Sequence, residues 1–167
     1  MDIMVDRRAI AAAIGARLAG VTNATVYYGR VGAPVPDTDD ATDFPADPPV
    51  KDATAGDMQV RPYLVLYPGP GGDGPDPSLG DPGGDLTFTV RITAVAAEAD
   101  DLLALVDRID AQLNRWTPTV DGAVCGRMRP PEGYRPPFLI DRDVQPVRLY
   151  APLEYVVVAT PTETSNL

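Results

Sequence analysis

The stretch from Asp85 to Trp116 constrains this chain more than any other, because its apolar period changes once and cleanly. Leu86, Phe88, Val90, Ile92 and Ala94 alternate with Thr87, Thr89, Arg91 and Thr93. That is the period-2 signature of a strand with one buried face. After Ala97 the apolar residues recur at three- and four-residue steps: Leu102, Leu105, Val106, Ile109, Leu113 and Trp116. Such spacing places them on one stripe of a helix. Glu98, Asp100 and Asp101 fall in the predicted first turn, where carboxylates meet the positive end of the helix dipole. Arg108 and Arg115 come later, and Pro118 is expected to stop the helix. A strand feeding straight into an amphipathic helix buries its stripe only if the helix folds back on a sheet. The rest of the chain has to supply that sheet.

Upstream, residues 6–19 read as a second helix, with Asp6 as N-cap, Val5 and Ile10 as a hydrophobic staple, and Gly20 past the end. Ile10, Ile14 and Leu18 make its buried stripe. Met1 and Asp2 are expected to fray. Ala24 to Tyr28 is rich in β-formers, and Pro62 to Tyr67 carries a continuous apolar run that fits a strand buried on both faces. Asp121-Gly122 predicts a turn before a weak strand at 123–128. Residues 144–159 close the chain with a long strand whose one face holds Leu149, Ala151, Leu153, Tyr155 and Val157. Pro146 and Pro152 cannot donate ladder hydrogen bonds, which predicts an edge or bulged position near its start. The expected fold is one α+β domain over 1–167: a mixed or antiparallel sheet with both helices on one face and a polar tail at 160–167.

Three long loops are expected, at 31–60, 68–84 and 129–143. The first carries Asp37, Asp39, Asp40, Asp43, Asp47, Asp52 and Asp57 among prolines, yet lacks the spacing of a calcium-binding loop. The glycines of the second are not followed by Gly-Lys-Ser/Thr, so a phosphate loop is excluded. The third differs in charge: Arg127, Arg129, Arg135 and Arg142 cluster around Tyr134 and Phe138. Arginine with aromatics is the composition of protein–protein contact cores. These six residues are the candidate interface. The alternative is an ordinary loop whose arginines pair with the many aspartates.

Composition narrows the chemistry. Among 167 residues there is no histidine and one cysteine, Cys125. That removes the usual general base, the familiar triads, an internal disulfide and cysteine-based zinc sites. Ser78 and Ser165, the only serines, lie in a loop and in the tail. No catalytic, cofactor or metal residues are assigned, and an enzyme is not expected. A net charge of −10 argues against a broad nucleic-acid-binding surface. No apolar run reaches the ~18 residues of a membrane span, and Asp6, Arg7 and Arg8 interrupt the first apolar stretch, unlike a signal peptide. Synthesis in the cytosol is therefore expected.

The order of elements resembles a family. Helix, short strand, loop, the Arg61-Pro62-Tyr63-Leu64-Val65-Leu66 strand, loop, the Leu86–Trp116 strand and helix, strand, loop, and a final strand ending Leu153-Glu154-Tyr155-Val156-Val157-Val158 are similar to the tail terminator proteins of long-tailed bacteriophages. The similarity spans about the whole chain, and the loops at 31–60 and 68–84 are longer than the pattern needs. The resemblance implies a structural virion protein, assembled in the host cytoplasm, that forms a hexameric ring at the head-proximal end of the tail. Its partners would be further copies of itself, the tail tube protein and the head–tail connector. Genomic DNA would only pass through the lumen, with no membrane, cofactor or catalysis involved. Asp-rich segments would then approach the bore, where like charges repel DNA. A head–tail connector or neck subunit is the alternative within this class. A small ferredoxin-like ligand-binding module is the alternative outside it.

Overall fold

The computed structural model describes residues 5–36, 44–51, 59–69, 72–73 and 85–162. It is an α+β fold: a mixed sheet curled into a half-barrel, with two helices. The helices are α1 (Arg7–Leu18) and α2 (Ala99–Leu113), and the strands are β1 (Thr25–Tyr28), β2 (Tyr63–Pro68), β3 (Gly72–Asp73), β4 (Leu86–Ala96), β5 (Ala123–Cys125), β6 (Leu139–Asp141) and β7 (Arg148–Pro161). The sheet order is β1-β2-β4-β7-β5, with β3 added beside β4 and β6 beside β7. Only β1 and β2 pair in parallel; every other pairing is antiparallel.

The helix ends follow from local chemistry. The carboxylate of Asp6 accepts hydrogen bonds from the backbone N–H of Arg8 (2.9 Å) and Ala9 (3.3 Å), so two orphan donors of α1 are satisfied. Ile10, Ile14 and Leu18 are wholly buried, as their spacing requires. Gly15 lets α1 come close to the sheet: a Cβ there would lie 2.9 Å from Val35 Cγ1 and 3.6 Å from the Tyr28 ring. The start of α2 departs from expectation in one detail. Glu98 is its N-cap but makes no side-chain capping bond; its Oε1 accepts from Gln59 Nε2 at 3.1 Å instead.

The end of α2 corrects the role given to Pro118. The helix stops at Leu113, because Asn114 turns extended (φ −65, ψ 123) and Arg115 takes a positive φ of 67. The backbone N–H of Arg115 donates to Met128 O, and the N–H of Met128 donates to Trp116 O, each at 2.8 Å. This long-range pairing supplies the hydrogen bonds that further helical turns would have made. Trp116 leaves the helix but still packs against the core. The Arg17 guanidinium lies over its ring, 5.4 Å from the centroid, and the Arg17 Nε donates to Gln112 O at 3.0 Å. One cation thereby joins α1 to the negative end of α2.

The core has two parts, one on each side of the sheet. The larger lies under the helices and joins Ile10, Ile14 and Leu18 of α1, Leu102, Leu105, Ile109 and Leu113 of α2, and the inward residues of β4 and β7. The smaller lies on the opposite side and unites Tyr27, Val60, Tyr63, Val65 and Val95, with Phe44 and Tyr150 at its border. As the continuous apolar run of β2 predicts, Tyr63 and Val65 serve the small cluster while Leu64 and Leu66 serve the large one.

The acidic 31–60 segment is therefore tied down where it is described. Val35 enters the main core. Phe44 meets the Tyr27 ring edge-on, with centroids 5.3 Å apart. Val50 and Val60 form an antiparallel bridge. Asp37, Asp39, Asp40, Asp43, Asp52 and Asp57 lie outside the described residues, as do Met1, Asp2, most of the 68–84 loop and the end of the 160–167 tail. Within those last two segments, Gly72–Asp73 pairs with β4, and β7 extends to Pro161 against β5.

The small cluster contains a buried defect. The Tyr27 hydroxyl is fully enclosed and has no hydrogen-bond partner among the described residues. Burial, and then Tyr63 and Asp47, push its pKa from the ordinary 10.0 up to about 12. The folded state therefore holds the phenol proton more tightly than the unfolded chain does. Its contribution is fully present below pH 10 and is lost as pH rises toward 12. Tyr27→Phe removes this alkaline loss. At neutral pH it leaves stability unchanged or raises it by about 1 kcal/mol, since an unpaired buried hydroxyl is eliminated. Urea unfolding at pH 7 and pH 11 checks both parts, and a clear loss at pH 7 contradicts the orphan hydroxyl.

Candidate interaction surface

The expected edge position of β7 is corrected by its neighbours. β4 pairs along one side of it, from Ala96↔Leu149 to Leu86↔Ala159. Residues 123–141 follow the other side in broken antiparallel steps. β5 pairs with Ala159–Pro161, the Gly126 N–H donates to Val158 O, Arg129 bridges Val156, and β6 pairs with Arg148–Tyr150. The expected 129–143 loop thus ends in a strand, and β6 and β7 form a hairpin around residues 142–147.

This arrangement explains how β7 tolerates Pro152. Tyr150, Pro152 and Val156 share one parity, so their backbone polar groups face the 123–141 side. Opposite Pro152 the chain makes no backbone pair among the described hydrogen bonds. The Tyr134 hydroxyl instead donates to Pro152 O at 2.6 Å. A missing N–H costs little there, because no ladder acceptor waits for it. Tyr134→Phe is expected to cost about 1 kcal/mol through that bond, read as a lower midpoint in thermal unfolding. An unchanged midpoint would show that the bond does not hold the loop.

The six sequence-predicted interface residues all lie in this segment, but they do not act alike. Arg127, Arg129, Arg135 and Arg142 are exposed, and none carries an ion pair with a described residue. The aspartate pairing considered as an alternative is therefore not seen among the described residues. Phe138 is exposed as well. Tyr134 is half-buried and its hydroxyl is committed to Pro152; burial first, then Glu154, raises its pKa, with Arg91 opposing. That bond holds the segment against β7.

Sequence reasoning passed over the neighbours of Phe138. Leu139, Ile140 and Val147 are also exposed, Ile140 by 51 %. The register places Ile140 beside Leu149 and Leu139 beside Tyr150, on opposite faces of the hairpin. Both faces of this edge hairpin thus carry exposed apolar side chains. The available signal was the Phe138-Leu139-Ile140 run inside a segment otherwise made of proline, glycine and charge. Beyond the small cluster, the helix-free face along β4 and β7 is polar: Thr87, Thr89 and Thr93 are half-buried, and Arg91 Nε meets Glu154 Oε2 at 3.8 Å across the β4–β7 pair. Val124 and Val158 are its exposed apolar residues near β5.

Other chemistry is sparse. Cys125 is a free, buried thiol, and burial raises its pKa. Tyr155 donates to Asp110 Oδ1 at 2.9 Å, a bond from β7 to α2. Burial, and then the Asp110 charge, raise its pKa as well. Among the described residues no group of acidic or cysteine side chains is placed to hold a metal ion, and no helix is long and apolar enough to cross a membrane. No protein-family model matches the chain, and no curated protein is significantly similar to it in sequence.

Proposed function

We propose that this chain is a structural virion subunit, a tail terminator that forms a ring on the phage tail tube and joins it to the head connector. The observation that carries the reading is the β6–β7 hairpin, where Phe138, Leu139, Ile140 and Val147 are exposed on a chain of net charge −10. Clustered apolar side chains on an exposed sheet edge mark a surface completed by another molecule. Four exposed arginines in the same segment, unpaired among the described residues, add the polar rim that such contacts use. The α+β architecture with two helices is the one that the resemblance implies. In this reading the protein is not an enzyme. It resides at the head-proximal end of the tail, and DNA meets it only in passage.

Native mass spectrometry of the purified chain, with negative-stain images of the same sample and of the sample mixed with purified tail tubes, tests the reading. A six-fold ring, alone or capping one tube end, is the expected result. A monomer that ignores the tubes, or a stable dimer carrying a small molecule, overturns it.

A further inference from the structure

The outward side of α2 has an unusual composition. Asp100, Leu103, Ala104, Asp107 and Ala111 are exposed, at spacings that set them on one stripe directly opposite Leu102, Leu105, Ile109 and Leu113. Surface helices ordinarily turn charged and long polar residues outward. Here the centre of the stripe is a leucine that is 50 % exposed, beside alanine methyls. Asp100 and Asp107 stand on either side of Leu103 without an ion pair to a described residue, whereas the neighbouring Asp101 is paired with Lys51 at 3.5 Å.

This surface complements the hairpin. One is an exposed apolar stripe bordered by carboxylates. The other is an exposed apolar hairpin edge bordered by Arg135 and Arg142. The two are both apolar at the centre and opposite in sign of charge at the border. We propose, resting on the ring reading above, that the β6–β7 hairpin of one subunit docks on the outer stripe of α2 of the next copy. Ile140 and Phe138 lie against Leu103 and Ala104, and Arg135 and Arg142 face Asp100 and Asp107. The two surfaces are different patches of the same chain, so the contact is head-to-tail. Contacts of that kind generate rings or open filaments rather than two-fold dimers. Unlike charges around an apolar centre fix register and disfavour other pairings.

Two experiments on the full chain test this. First, Leu103→Cys and Ile140→Cys are introduced together, and the protein is treated with a short bismaleimide with and without tail tubes. Head-to-tail docking yields a ladder of multimers from the double variant, and a single heterodimer band when the two single variants are mixed. Second, R135D/R142D is expected to lose assembly while keeping the wild-type unfolding midpoint. D100R/D107R is expected to do the same, and the chain carrying all four changes to recover assembly. The absence of a ladder, or rings formed as well by R135D/R142D as by wild type, overturns the docking proposal. Rings that persist in those samples leave the terminator reading standing, whereas wild-type protein that never forms rings refutes that reading itself.

Discussion

Replacing Ile109 or Leu105 by alanine lowers stability by about 2–5 kcal/mol, the range for large-to-small changes in a closed core. Both side chains are wholly buried on the sheet-facing stripe of α2. Both belong to the cluster that also holds the α1 stripe and the inward residues of β4 and β7. Truncation therefore leaves a cavity between two helices and a sheet, which close packing cannot fill without moving whole elements. For a chain of this length each kcal/mol moves the thermal midpoint by about 2–4 °C. The control lies on the same helix: Leu103→Ala removes a similar side chain from the outer stripe and is expected to stay within about 0.5 kcal/mol in the monomer. Equal effects at Leu103 and Leu105 would contradict the orientation of α2.

Gly32→Ala is expected to cost about 1–3 kcal/mol, and its size depends on the seating of the acidic segment. Gly32 has φ +88, and a Cβ there would stand 2.8 Å from Ala46 O, a backbone atom that cannot rotate away. Two penalties therefore add: the positive φ, about 1–2 kcal/mol for a residue with a Cβ, and displacement of the chain around Ala46. Gly29 separates them. It has φ +75 with nothing within 4 Å of its would-be Cβ, so Gly29→Ala carries only the first penalty. Displacement at Ala46 also disturbs Phe44 two residues away, whose ring abuts Tyr27. Gly32→Ala should thus weaken the near-ultraviolet circular dichroism of the aromatic cluster, and Gly29→Ala should not. If both substitutions cost the same, residues 44–51 are not held against the turn.

What was legible in the sequence was local and periodic. The alternation from Leu86 to Ala94 and the three- and four-residue steps from Leu102 to Leu113 produced β4 and α2 as expected, because each face faces one environment along its whole length. Asp6 capped α1 for the same reason: the bond is made within three residues. The candidate surface was legible in part. Charge and aromatic content drew attention to 127–142, but not to Leu139, Ile140 and Val147, whose apolar nature alone predicts burial.

The misreadings all concern partners distant in sequence. Prolines suggested that β7 begins on an edge, yet a proline forbids a hydrogen bond only on the side its nitrogen faces, and that side is met by the Tyr134 hydroxyl. Pro118 looked like the terminator of α2, but Met128, from beyond the following turn, takes up the backbone at Arg115 and Trp116 first. The 31–60 segment was expected as a long loop, yet Val35, Phe44 and Val60 join the two clusters. By itself, then, the sequence determined the two helices and the long strands, and which face of each is buried, since hydrophobic periodicity acts residue by residue, whereas the short strands β3 and β6 arose inside segments expected to be loops. Only the tertiary structure decided which strand edges are covered, where α2 ends and which apolar side chains remain outside, since those outcomes depend on what another part of the chain brings to the same place.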